Sequence, residues 1–221
     1  MPVRHDGDRR WVELDVLLPG TPEQVWQAIA TGPGNAAWFT RATIEERAGG
    51  AIAFDFGGGA TSSGTVTTWQ PPNHFGYEER DWSDDAPPVA TEITITGRAG
   101  GTCVLRMTHS LFTSEDKWDG ELEGFEAGWP GFFAVLRGYL RDFPGQPAGV
   151  LGADAAVAGS LPIGWQRITT ALGLAGADLG QRREAPPDAP ALAGTVERVQ
   201  QDTEICEVML QMDRPAPGRA P

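Results

Sequence analysis

One stretch sets the problem that the rest of this chain must solve. Between residues 123 and 143 the large apolar side chains are Phe125, Trp129, Phe132, Phe133, Leu136, Leu140 and Phe143, at steps of four, three, one, three, four and three. That spacing is the buried stripe of one long helix. A stripe so rich in aromatic rings needs a broad apolar partner. Upstream lie short segments of two-residue periodicity, set apart by Gly, Pro and Asn, and these read as strands of an antiparallel sheet.

Taken in order, residues 11–18 alternate, with Val12, Leu14, Val16 and Leu18 on one face of a first strand. Thr21-Pro22-Glu23-Gln24 follows. A hydroxyl that accepts a free backbone N–H, a proline in the first turn and a glutamine that reaches back make this a helix start. Val25, Trp26 and Ile29 form its apolar side, Gly32-Pro33 stops it, and a short turn carries Trp38 and Phe39. Residues 42–47 and 51–56 then flank Gly49-Gly50 as a hairpin, with Ile52, Phe54 and Phe56 on one face. Four more strands are expected over 64–69, 75–82, 89–96 and 102–110. They are separated by Pro71-Pro72-Asn73, an acidic loop over 84–88 and Gly100-Gly101. The class that follows is α+β, with a curved antiparallel sheet of about seven strands around a long C-terminal helix.

Charge narrows the partners. A formal charge of −13 over 221 residues leaves no clustered basic footprint for nucleic acid and disfavours an anionic membrane surface. The first ten residues are charged and lead into alternation, unlike a signal peptide. No run approaches the roughly 18 apolar residues of a membrane span. Cys103 and Cys206 stand at no metal-ligand spacing. The expectation is a cytoplasmic protein, and Lys117 as the sole lysine beside abundant Ala, Gly, Pro and Arg suggests a GC-rich bacterial genome.

At this point several runs carry a resemblance. They are a strand leading into TPEQVW, a helix and Trp38; the run GTVTTWQPPNHFGYE; the alternating pair TEITITGRAGGTCVLRMTHS; and Gly128-Trp129 followed by Leu136 and Leu140. In this order the chain resembles the START-like helix-grip (SRPBCC) superfamily over residues 12–143, and within it the bacterial branch named after the heat-shock ATPase activator. The resemblance implies a cavity between helix and sheet, used across the superfamily for apolar ligands. It brings no universal catalytic residues, so none are assigned.

The domain expected from all this is 1–143. Residues 144–161, rich in Pro, Gly and Ala, read as a linker. The remainder, 162–221, reads as a helix over 162–174 burying Trp165, Ile168 and Leu172, a hairpin of strands over 192–200 and 205–212, and a frayed end over 214–221. Two echoes of the first domain occur here. Trp26-Gln27-Ala28-Ile29-Ala30-Thr31 returns as Trp165-Gln166-Arg167-Ile168-Thr169-Thr170, and Gly64-Thr65-Val66 as Gly194-Thr195-Val196. They fit an abbreviated second copy of the domain, and equally a helix plus hairpin with chance matches. A hairpin alone is unstable in water, so it must dock on the first domain, on another protein chain, a homodimer partner included, or on residues outside this sequence.

Strand 102–110 puts Leu105, Met107 and His109 on one face. His109 is then either a hydrogen-bonded histidine at a strand end or a group that orients a ligand or takes a proton. His5 and His74 stand at no ligand spacing with it, so neither a metal nor any other cofactor is expected. Glu78, Glu79, Asp81, Asp84 and Asp85, like Glu115, Asp116, Asp119, Glu121, Glu123 and Glu126, read as solvated acidic surface. No GxSxG or GxxxxGK[ST] pattern is present. The rich signal is aromatic. A pocket lined by Trp38, Phe54, Phe56, Tyr77, Met107, His109, Phe125, Trp129 and Phe133 would take a small hydrophobic or aromatic ligand. A co-chaperone-like interaction module, or a cyclase or dehydratase with His109 as base, are the alternatives.

Overall fold

In a computed structural model of the chain, residues 3–80, 82, 85–148, 159–201 and 206–220 are described. The chain divides into two compact units, Met1–Gly152 and Ala153–Pro221. The linker expected over 144–161 lies largely outside the described residues, as do Asp81, Asp84 and the start of the strand expected over 205–212.

The first unit opens with a hairpin of β1 (Arg4–Asp6) and β2 (Arg9–Pro19), followed by α1 (Pro22–Ala30) and α2 (Gly32–Asn35). Strands β3 (Arg41–Ile44), β4 (Ala51–Gly57), β5 (Ala60–Gln70), β6 (His74–Arg80), β7 (Val89–Arg98) and β8 (Thr102–Phe112) come next, and α3 (Asp119–Asp142) closes the unit. The eight strands make one antiparallel sheet in the order β1-β2-β8-β7-β6-β5-β4-β3. The eighth strand is β1, a short exposed edge that the strand count of the sequence did not include.

The helix starts where its caps demand. Thr21 accepts the N–H of Gln24 while the Gln24 side chain accepts from the Thr21 N–H at 2.9 Å. Val25, Trp26, Ala28 and Ile29 turn inward from it. The connection after α1 is pinned by the Asn35 amide, which donates to Ile29 O at 2.8 Å, and by the Trp38 indole N–H, which donates to Ala28 O at 3.0 Å.

Helix α3 packs against β2, β8 and α1. It begins one turn earlier than its aromatic stripe suggests. Its first turn carries Asp119 and Glu121, favourable at a helix N-terminus, and Arg10 on β2 grips the Asp119 carboxylate through both Nε and Nη2. Leu122, fully buried, extends the stripe by one residue into a small cluster with Val12, Val89 and Leu111. The main core lies further along the helix, where Phe133, Leu136, Tyr139 and Leu140 meet Val16, Leu18, Trp26, Ile29, Phe75 and Leu105. The helix runs unbroken through Pro130.

The second unit holds α4 (Leu161–Ala171), β9 (Arg182–Glu184), β10 (Ala193–Gln201), β11 (Cys206–Arg214) and β12 (Gly218–Ala220). Its strands form a separate antiparallel sheet in the order β12-β11-β10-β9. Two points differ from expectation. The hairpin is widened to four strands, and part of the expected frayed end is edge strand β12, paired to β11 from Leu210↔Ala220 to Met212↔Gly218. Short edge strands carry too little periodicity to be read from sequence. Of the apolar side of α4, Trp165 and Leu172 pack on the core with Val196, Val208 and Leu210, while Ile168 stays half exposed.

Candidate functional site

Between the two clusters of the first unit the apolar contacts do not close. The gap is a cavity of about 450 Å³, bounded by β4 to β8 and the N-terminal half of α3. That volume is within the range of small-molecule pockets. Its walls are Phe39, Phe54, Phe56, Tyr77, Trp82, Phe125, Trp129 and Phe132, with Val89, and its polar groups are Thr61, Ser62, Glu79 and His109. Phe56 and Phe132, 49% and 43% exposed, stand at the mouth.

Helix α3 holds this space open by omission. Gly124 and Gly128, one turn apart, both line the cavity, and a Cβ built on either meets nothing within 4 Å. A glycine in a helix interior costs about 1 kcal/mol relative to alanine. The long helix therefore gives up stability where the cavity lies.

His109 forms the floor. It is 5% exposed and lies between Trp129, nearly parallel with ring centroids 5.5 Å apart, and Phe125 at 5.3 Å. Its Nδ1 is 3.0 Å from Thr91 Oγ1, and its buried Nε2 has no hydrogen-bond partner. Burial lowers its pKa to about 4, so the ring is neutral at pH 7. Tyr77 is two strands away in the same cross-strand row. Burial chiefly, and then the Glu79 charge, raise its phenol, against a hydrogen bond with Thr91. Two residues along β6, Glu79 faces the same side. Its carboxyl is raised by burial, against a 2.5 Å hydrogen bond donated by Ser62.

The residues singled out from sequence fall into two sets. Phe54, Phe56, Tyr77, His109, Phe125 and Trp129 line the cavity. Trp38, Met107 and Phe133 sit in the main core instead, around a gap of about 20 Å³ to which Phe54, Tyr77 and Trp129 also contribute. Glu79 is a correction, since the acidic run it belongs to reads as solvated surface. The alternation Phe75, Tyr77, Glu79 on β6 carried the signal, because period two puts all three on one face. His74, placed by sequence in a turn, begins β6 and pairs with Glu92. Among the described residues, no group of three or more His, Cys, Asp or Glu side chains converges to hold a metal ion, and no helix is long and apolar enough to cross a membrane.

Residues 19–141, more than half of the chain, match the model of a family described as activator of Hsp90 ATPase homolog 1-like protein. Solved structures share the helix-grip fold. The solution structure of CalU16 from Micromonospora echinospora is 20% identical with a TM-score of 0.56, covering 76% of this chain and 86% of that one. DynU16, a putative protein in the dynemicin biosynthetic locus, is 20% identical with a TM-score of 0.54, covering 97% of this chain and 84% of its own. Protein MLL2253 from Mesorhizobium loti is 22% identical with a TM-score of 0.55, covering 61% and 98%. No curated protein matches the sequence.

Proposed function

For a chain that belongs to the family of activator of Hsp90 ATPase homolog 1-like proteins, we propose that the first unit binds a small hydrophobic or aromatic molecule in the cavity between its sheet and α3. The observation that carries this reading is the pair of glycines, Gly124 and Gly128, which line the cavity beside Phe125, Trp129 and Phe132 on α3. Packing alone favours larger residues at such positions, since an unfilled gap forfeits dispersion contacts. A ligand that fills the space restores them and buries apolar area, at about 25 cal/mol per Å² before the entropic cost of binding.

His109 supports binding over proton transfer. A base with a pKa of about 4 is a poor proton acceptor at pH 7, because general-base efficiency peaks when the pKa lies near the working pH. The aromatic walls and the few polar groups are the usual composition of a binding pocket.

The test is Gly128→Leu. The new side chain projects into the cavity and raises helix propensity, so the variant should fold at least as well as its parent. With the uncharged fluorophore N-phenyl-1-naphthylamine as probe, the parent should bind with enhanced fluorescence and the variant should bind at least tenfold more weakly. Equal affinity in the two would sink the cavity reading.

A further inference from the structure

Among the described residues, Glu79 is the one acidic side chain in the walls of the cavity, and those walls hold no lysine or arginine. It stands on β6 two residues beyond Tyr77, so the period of the strand turns it inward with Phe75 and Tyr77. Its partners across the sheet give it little polar company. Gly64 on β5 has no side chain, and Val89 on β7 is a buried apolar wall. Ser62, two residues before Gly64, donates to Glu79 Oε1 at 2.5 Å. The other oxygen, Oε2, makes no hydrogen bond among the described residues and, unlike His109 Nε2, is not sealed in the wall.

The protein's nearby cations are engaged elsewhere. Arg80, the neighbour on β6, points to the opposite face and pairs with Glu78. Arg106 on β8 pairs with Asp15, and Arg137, the first basic residue of α3, donates to Leu17 O. His109 and Tyr77, the other titratable groups of the cavity, are neutral at pH 7. A carboxyl so placed gives up water without gaining a countercharge, which is why burial raises its pKa. No group of three or more His, Cys, Asp or Glu side chains converges among the described residues. The ligand set of a metal ion is therefore missing, and the countercharge left to supply is organic.

From this arrangement we infer that Glu79 is the specificity-determining residue of the cavity, pairing through Oε2 with a cationic nitrogen of the ligand, and that the site takes an aromatic or polycyclic amine. The inference rests on the binding reading above and names the ligand chemistry of the same site. Either protonation state of the empty site leads to the same pair. An ionised Glu79 accepts from an ammonium that arrives charged. A protonated one gives its proton to the free amine, the N–H bond forming as the O–H bond breaks. The rings complete the fit. Phe54, directly opposite Ser62, and Tyr77 have centroids 5.5 Å apart and wall the space beside the carboxyl, and aromatic faces attract a cation. Phe125 and Trp129 are left to meet the ligand's rings. A neutral ligand of the same shape takes water from the carboxylate and returns no charged partner, and a site built for a polar group discriminates through the group left unpaired. The formal charge of −13 adds a long-range attraction for cations.

Competition against bound N-phenyl-1-naphthylamine at pH 7 tests this. The competitors are 1-naphthylmethylamine, a cation at that pH, and 1-naphthylmethanol, which carries the same rings and no charge. In the parent the amine should displace the probe at a concentration about tenfold lower than the alcohol, the least expected of a hydrogen bond between charged groups. In Glu79→Gln, which keeps the shape of the side chain, the two competitors should become equal while the probe binds as in the parent. Equal displacement in the parent, failure of both competitors to displace the probe, or an amine advantage that survives in Glu79→Gln overturns the pairing and leaves the cavity reading in place. If Glu79→Gln no longer binds the probe, the ratio of amine to alcohol in the parent decides by itself. A parent that does not bind the probe, or binds it no better than Gly128→Leu, overturns the pairing together with the cavity reading.

Discussion

His109 shows how the fold alters a side chain's chemistry. Its ring is neutral because burial withholds the solvation a cation needs, and the pH dependence of stability follows in sign. The folded pKa of about 4 is below the ordinary value near 6.5, so between those values the unfolded chain binds more protons than the native one. This contribution is fully present above pH 6.5 and is lost as pH falls towards 4, on the order of 3 kcal/mol in all. Urea unfolding at pH 7 and pH 4 should show the loss in the parent and a smaller one in His109→Phe. Equal losses would mean that the ring is solvated. Glu79 has the opposite sign, since its carboxyl is raised by burial. Its protonated form is favoured in the fold, and stability declines as pH rises through the folded pKa. Glu79→Gln should then be more stable than the parent at pH 7, with the gap closing below pH 4.5. A variant less stable than the parent at pH 7 would show that the Glu79 anion is the favoured form.

At the scale of elements, α3 serves two purposes. From Phe133 to Leu140 it closes the core, and from Gly124 to Phe132 it borders a space. Replacing Gly124 by Ala should raise stability by about 1 kcal/mol, because the added methyl meets no atom and the helix gains propensity. A fall in melting temperature would show that the site is packed. Leu136→Ala, in the part that closes the core, should cost about 2–5 kcal/mol. The stripe announced the helix, its length and its partner sheet. It did not announce the division of labour, because a stripe lists the large residues on a face, whereas the cavity depends on the small ones between them.

For the molecule as a whole, ligand binding and folding of the first unit are linked. A ligand that binds only the native form stabilises by RT ln(1 + [L]/Kd), about 2.7 kcal/mol at a hundredfold excess over Kd. N-phenyl-1-naphthylamine at that excess should shift the unfolding midpoint upward in the parent and leave Gly128→Leu unmoved. An equal shift in both would place the probe elsewhere.

Periodicity was enough to determine the α+β class, the order of most strands, the capped start of α1 and the aromatic face of α3, because burying one face imposes a local repeat of two or of about 3.6 on the residues themselves. The order of those runs was also enough to bring the helix-grip family into view. Only the tertiary structure separated the side chains confined to the core, such as Trp38, Met107 and Phe133, from those that also wall the cavity, such as Phe54, Phe125 and Trp129. Only it turned Glu79 inward and set Thr91 between Tyr77 and His109. These outcomes depend on which residues face each other across strands distant in sequence, and on volume left unfilled between clusters. Neither quantity leaves a local repeat in the chain.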